Sequence, residues 1–166
     1  MASVSGMDQQ LLKLLEENAL VSPETLAKQL NLSVDEVKSR IKRLEDEKVI
    51  LAYKAIVDDD KADFQKVKAV IEVRITPERG GGFNRLSDRI ARYPEVTSCF
   101  LMSGGYDLLV FVEGRTLKEV AMFVSEKLST IQGVLSTATH FMLKTYKEQG
   151  VMIEQEITEE RLKVSP

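Results

Sequence analysis

The feature that most constrains this chain is a change of hydrophobic period on either side of residues 58–66. Before that stretch, apolar residues recur every three or four positions; from Val67 they recur at every second position. The first spacing lines one face of a helix and the second one face of a strand. The chain therefore has to fold as two dissimilar parts, one helical and one mixed. The intervening Asp58-Asp59-Asp60-Lys61-Ala62-Asp63 is acidic and aperiodic, which suits a linker. The expected division is 1–57, a linker at 58–66, a second domain at 67–146, and an extension at 147–166 that is read as either an edge strand or a short helix.

In the first part, residues 1–7 carry no pattern. A helix is expected from Asp8, taken as its N-cap, with Leu11, Leu12, Leu14 and Leu15 as its apolar stripe. Ser22-Pro23 opens a second helix, since proline at the first helical position forfeits no hydrogen bond; Leu26, Ala27 and Leu30 form its stripe. Asn31-Leu32-Ser33 is a short turn without glycine. A third helix follows over Val34–Glu47, with Val34, Val37, Ile41 and Leu44 on one face and Lys38, Ser39, Arg40, Lys42 and Arg43 elsewhere. Ser33 and Glu36 have the spacing of a capping box. Two short helices joined by a tight turn and buttressed by a third make a helix-turn-helix, whose second helix enters the DNA major groove. Val49–Val57 is rich in β-branched and aromatic residues and is expected to form a small wing.

In the second part, Val67–Ile75 alternates as a strand. A helix is expected from Phe83 to about Arg92, strands over Val96–Met102 and Leu108–Val112 with Gly104-Gly105 between them, a helix from Leu117 to Ile131 ended by Gly133, and a last strand over Val134–Lys144. Leu117, Val120, Ala121, Val124, Leu128 and Ile131 are its expected inward stripe, with Met122 and Phe123 outside it. The order βαββαβ is that of ferredoxin-like folds. Two helices cover one sheet face only, and the apolar residues on the other face imply a partner, so this domain is expected to dimerise. The fold class is α+β: a winged helix-turn-helix followed by a ferredoxin-like domain.

Charge bears on what such a chain can bind. Residues 1–60 hold 8 Lys and Arg against 12 Asp and Glu, net −4, whereas residues 61–166 are net +1. Contact with DNA must therefore be local. No apolar run approaches the roughly 20 residues of a membrane span, and no signal peptide opens the chain, so a cytoplasmic location without a membrane partner is expected. Cys99 is the sole cysteine, which excludes an intrachain disulfide and reads as a buried thiol beside Phe100 and Leu101.

Taken in order, these residues resemble the Lrp/AsnC family of bacterial and archaeal regulators. The resemblance runs from about Asp8 to Lys144. It rests on Leu26-Ala27, on Ser33 with Val37, Arg40, Ile41 and Leu44, on Leu44-Glu45 leading to Val49-Ile50, and on Tyr53 and Ala55. In the second part it rests on Gly104, Tyr106-Asp107, Thr137 and Thr139. It implies a DNA-binding regulator of amino-acid metabolism that forms homodimers and octamers and responds to an amino acid held between sensing domains. Carried over by position, Ser33, Lys38, Ser39, Arg40, Lys42 and Arg43 would contact DNA. Gly104, Gly105, Tyr106 and Asp107 would bind the effector, with Thr137 and Thr139 as neighbours. Backbone N–H groups in a glycine turn suit a carboxylate and Asp107 an ammonium, although the same turn is also a plausible bare hairpin that Asp107 merely caps. Asp35 and Glu36 at the start of the third helix oppose phosphate, and the arginine common after the family's aspartate is missing at Gln9.

Two other classes remain in view. One is an oligomeric ligand-binding module without DNA affinity, which the acidic first part favours. The other is an enzyme on the same scaffold, as in siroheme decarboxylases, which are similar throughout. The one histidine, His140, lies on the strand face opposite Thr139, and no nucleophile–base pair, metal-ligand spacing or phosphate loop is evident. No enzyme activity, cofactor or metal is expected.

Overall fold

The computed structural model describes residues 4–77 and 82–153. The chain divides into two compact units between Ala55 and Ile56.

The first unit holds α1 (Gly6–Glu17), α2 (Pro23–Leu30) and α3 (Val34–Asp46). Leu11, Leu15, Leu26, Ala27, Leu30, Val37 and Leu44 form its buried core, with Met7, Val34, Ile41 and Ile50 packed at the margin. Ala27 is buried, and its small side chain suits the packing of α2 on α3. Ser5, not Asp8, caps α1: the Ser5 hydroxyl accepts the Asp8 N–H, and the Asp8 carboxylate accepts the Ser5 N–H, a reciprocal box. The patternless start thus extends the first helix by a turn. Ser22 caps α2 and Ser33 caps α3, each accepting the N–H three residues on. Ser33 and Glu36 make only half of the expected box, because the Glu36 carboxylate is turned to Arg40 instead.

Both helix ends that need a left-handed residue obtain it without glycine. Asn31 (φ 54°) follows α2; its short polar side chain tolerates this region better than most. Lys48 (φ 59°) follows α3, where the Val49 N–H donates to Leu44 O and the Lys48 N–H to Glu45 O, a Schellman ending. The expected wing is not a strand pair here. Residues 51–58 adopt no regular structure, and Leu51 is 83% exposed with Tyr53, Ile56 and Val57 also open. The β-branched composition is present, but no described strand lies alongside to accept the ladder bonds that such a segment needs.

The second unit holds β1 (Val67–Ile75), α4 (Asn84–Ala91), β2 (Val96–Leu101), β3 (Leu108–Gly114), α5 (Leu117–Met122) continued by a π turn (Phe123–Leu128), β4 (Val134–Phe141), and a small hairpin of β5 (Lys147–Glu148) and β6 (Val151–Met152). The four-stranded sheet is antiparallel in the order β2-β3-β1-β4. Residues 78–81, within the expected glycine loop, lie outside the described residues. Ala69, Ile71, Val73 and Ile75 of β1 and Leu108, Val110 and Val112 of β3 face Leu86 and Ile90 of α4 and Val120, Phe123, Leu128 and Ile131, forming one core. The π turn corrects the expected stripe. In the regular turn before it, Val120 and Phe123 share the buried face at i,i+3 while Leu117, 58% exposed, and Ala121 face solvent; the wider i→i+5 bonding then brings Leu128, five residues after Phe123, back into the core. Cys99 is half-buried against the core, and burial pushes its thiol pKa up, aided by Asp88.

Among the described residues of the second unit, no element covers the opposite sheet face. Register places Val70, Glu72, Leu109 and Phe111 together there, with Phe100 and Phe111 edge to face at 6.0 Å. Across the sheet, His140 pairs with Val70 and lies 3.4 Å from Glu72, on the face opposite Thr139.

Candidate DNA interface and effector turn

Helix α3 carries two polar stripes with different partners. Glu36, Arg40, Arg43 and Glu47, spaced by four, three and four, face the start of α1. Arg40 Nη1 donates to Asp8 Oδ1 at 2.9 Å and Arg43 Nη2 to Asp8 Oδ2 at 2.8 Å. Arg40 also grips Glu36 through Nε and Nη2, at 3.1 and 2.8 Å, and Arg43 lies 3.5 Å from Glu47. Asp8 is 1% exposed, the one buried polar or charged residue among those described. Burial alone would raise its pKa, but hydrogen bonds from Arg43, Ser5 and Arg40 outweigh that and hold the carboxyl well below the usual carboxylate range.

The second stripe, with Asp35, Lys38, Ser39, Lys42 and Asp46, is exposed. Among the described residues, no ion pair or hydrogen bond engages the Lys38 ammonium. Lys42 reaches Asp46 at 2.9 Å, an i,i+4 pair with both side chains open to solvent, and such pairs exchange readily for other partners. Of the six expected DNA contacts, the fold thus presents Lys38, Ser39 and Lys42 together on one outward face. Ser33 sits at the N-terminus of α3 with its oxygen accepting the Glu36 N–H, and Arg40 and Arg43, with side chains 25% and 40% exposed, are paired with Asp8. The sequence signal for this was the capped aspartate itself, but pairing across 32 and 35 residues is visible only in the fold.

In the second unit, the β2–β3 connection spans Met102 to Asp107 rather than a two-residue turn, closed by Met102 N–H donating to Asp107 O at 2.8 Å. Gly104 adopts φ 132°, a region for glycine, and a side chain there would meet open space. Asp107 extends the sheet beyond its last paired residues. Its N–H donates to Val73 O at 3.0 Å, and its Oδ2 accepts the Ile75 N–H at 2.8 Å, standing in for a strand carbonyl beyond the end of the β1–β3 pairing at Val73 and Leu108. Arg74 Nε donates to Gly105 O at 2.8 Å, fixing the turn from the β1 side. Thr137 shares a cross-sheet row with Val73 and Leu108, and Thr139 the next row with Ile71 and Val110. Both threonines are half-buried, on the helix side of an edge strand, and Thr137 Oγ1 lies 3.4 Å from Ser129 Oγ. They stand two strands from the turn, about 10 Å away at the usual strand spacing. The turn and the threonines therefore share one end of the sheet without closing a single pocket within one chain.

A cleft of about 270 Å³ opens at the other end of β3, between Glu113-Gly114, Glu95 and the α5–π helix. No sequence feature had singled it out. Glu95 pairs there with Lys127; burial would raise its pKa, but hydrogen bonding to the ammonium outweighs that and lowers it, and Oε2 of Glu95 is buried without a hydrogen-bond partner among the described residues.

Known proteins align with both units. Residues 6–45 match the AsnC-type helix-turn-helix domain, and residues 68–152 match the Lrp/AsnC ligand binding domain. The chain belongs to the Lrp/AsnC family of helix-turn-helix transcriptional regulators. It is 47% identical over 158 residues to the HTH-type regulator YugG of Bacillus subtilis (strain 168), covering 95% of each chain. It is 27% identical over 144 residues to the proline dehydrogenase transcriptional activator of Rhizobium radiobacter, covering 87% of this chain and 92% of that one. Among solved structures, it is similar to a transcriptional regulator of Neisseria meningitidis in complex with L-Met. That match has a TM-score of 0.67 and 25% identity, covering 91% of this chain and 97% of the other. AsnC of E. coli shares the fold with a TM-score of 0.65 at 20% identity, over 88% and 96% of the chains. This Lrp/AsnC protein is a DNA-binding transcription regulator with a ligand-binding domain, and not an enzyme. No helix among its described residues is long and apolar enough to cross a membrane.

Proposed function

We propose that this regulator reads operator DNA with the outward face of α3 and that a small amino acid, bound at the Gly104–Asp107 turns of associated sensing domains, alters that reading. The observation that carries the first half is the exposed stripe of Lys38, Ser39 and Lys42 on the second helix of the helix-turn-helix. Phosphates position such a helix and base edges give it specificity. Ser33, at the helix N-terminus, is placed to approach a phosphate.

The second half is supported by the chemistry of the turn. Gly104 and Gly105 leave backbone open to solvent, and the carboxylate of Asp107 has one oxygen beyond the one that caps Ile75. Backbone N–H groups and a carboxylate answer the two charges of an amino acid. The similar Neisseria regulator was solved with L-Met, and the Rhizobium relative activates proline dehydrogenase expression by its name; both agree with an amino-acid signal for this chain in the cytoplasm. Tyr106, Thr137 and Thr139 would complete the site only where a second sensing domain closes over the turn.

Self-association follows from the uncovered sheet face with Phe100, Leu109 and Phe111. A homodimer, and octamers built from it, would present several α3 helices at once. Effective concentration then raises avidity by roughly 10²–10⁴, which offsets the net negative charge of the first unit. Residues 58–66 connect the reading and sensing parts.

A gel shift on the DNA upstream of the protein's own gene, with and without a mixture of amino acids, tests the reading. Retardation at low salt that the mixture alters supports it. Absence of retardation refutes DNA reading, and retardation indifferent to every amino acid refutes the effector.

A further inference from the structure

We propose that Asp8 is a positioning residue for DNA reading, a clamp that keeps Arg40 and Arg43 off the DNA phosphates and leaves duplex contact to Lys38, Ser39 and Lys42. The inference rests on α3 being the DNA-reading helix.

Both oxygens of Asp8 are occupied. Oδ1 accepts Arg40 Nη1; Oδ2 accepts Arg43 Nη2 at 2.8 Å, Ser5 Oγ at 2.7 Å and Ser5 N–H at 3.1 Å. The remaining grip on the two guanidinium groups comes from Glu36 and Glu47. Three carboxylates and two guanidinium groups sum to a net negative cluster, so a phosphate approaching this stripe meets net repulsion even though the Arg43 side chain is 40% exposed.

Competition with DNA is unequal. For Arg40 to carry Nη1 to a phosphate it must strand Oδ1, whose one donor among the described residues it is, on a carboxylate that is 1% exposed, whereas Arg43 gives up one of the three donors that Oδ2 holds. Uncovering a buried charge costs far more than one exposed phosphate contact returns. Lys38 and Lys42 carry no such penalty, since both are exposed and Lys42 trades only a solvent-exposed pair with Asp46. The result is a recognition helix in which two of the four basic residues, Arg40 and Arg43, are held back from phosphate. Sequence-independent binding is set by the number of phosphates neutralised, so the clamp lowers that term and widens the gap between operator and other DNA.

The test measures binding of the full chain to a mixed-sequence duplex of about 30 base pairs across a range of KCl concentrations, by fluorescence anisotropy. Each phosphate gained steepens the slope of log K against log salt by about 0.9. Asp8→Asn is expected to steepen the slope by about one to two such steps and to raise low-salt affinity about tenfold or more. Loss of a merely structural residue would weaken binding and flatten the slope instead. An unchanged or shallower slope with helical circular dichroism intact overturns the clamp.

Should Asp8→Asn not fold, the wild-type protein decides. Guanidinium N–H signals of Arg40 and Arg43, assigned in ¹⁵N spectra with Arg40→Lys and Arg43→Lys, are expected to keep their positions as the duplex is added. Movement of these signals at saturation overturns the proposal. Lys38→Ala and Lys42→Ala separate this from failure of the broader reading. If they leave DNA binding unchanged, the outward face of α3 is not the reader and the clamp falls with it. If they weaken binding while Asp8→Asn leaves the slope alone, only the clamp falls.

Discussion

Asp107 caps the Ile75 N–H, and a pair of substitutions can separate that role from the proposed binding of an ammonium. Its Oδ2 accepts the Ile75 N–H at 2.8 Å, and Ile75 is 2% exposed. A hydrogen bond to a charged group contributes about 1.5–3 kcal/mol net, and an abandoned buried N–H costs a comparable amount, so the two are one loss counted once. Asp107 is half-buried, and water can enter where its carboxylate stood, which puts Asp107→Ala near the lower end, about 1.5–2 kcal/mol. Asp107→Asn keeps a neutral acceptor in place and should cost about 0.5–1 kcal/mol. Urea unfolding followed by circular dichroism, at one protein concentration because association adds to stability, reads both. With a slope of roughly 1–3 kcal/mol per molar urea, the alanine variant should lose about 1 M in midpoint and the asparagine variant under half of that. The effector then discriminates: if the charge holds an ammonium, Asp107→Asn abolishes the amino-acid response while stability stays near wild type. An alanine variant as stable as wild type would refute the capping role. An asparagine variant with a full response would refute the ammonium role.

Acid should unlock the first unit at Asp8. Its folded pKa is depressed, so the stabilisation is complete above the ordinary carboxylate value of about 3.9 and declines as pH falls below that value towards the folded one. A thermal unfolding series from neutral pH downwards should be flat to about pH 4 and then fall, and more shallowly in Asp8→Asn. Lys48→Gly should stabilise the first unit by about 0.5–1 kcal/mol, because glycine relieves the left-handed backbone that follows α3 while adding some unfolded-state entropy; a lower melting point would argue against the Schellman ending. Phe100→Ser with Phe111→Ser should reduce the sedimentation mass to that of a monomer and spare circular dichroism, since both rings lie on the uncovered sheet face and not in the core. An unchanged mass would remove that face from the interface.

Much of the second unit was legible because its strands alternate and its helices are short and bounded by Tyr93-Pro94 and Gly133. The uncovered face follows from that pattern, since two helices reach only one side of four strands, whereas the sheet order β2-β3-β1-β4 is read from the structure. The π turn was not legible: it lets Phe123 and Leu128, five residues apart, both enter the core, whereas periodicity assumes a uniform helix. The wing at 49–57 shows the opposite failure. Its composition favours a strand, but a strand exists only with a partner to bond, and no described segment supplies one.

By itself, then, the sequence determined that three capped helices precede a βαββαβ unit, because caps, turn residues and periods are local properties. It also determined which side chains are basic along α3 and which residues form the glycine turn. Only the tertiary structure decided how those side chains are used. Asp8 lies 32 and 35 residues from Arg40 and Arg43, and Asp107 lies 32 residues from Ile75. Pairing of charge and hydrogen bonds at that separation depends on how helices pack and strands register. The same fold that buries the apolar stripes paired two candidate DNA contacts with Asp8 and made the candidate ligand carboxylate part of the sheet.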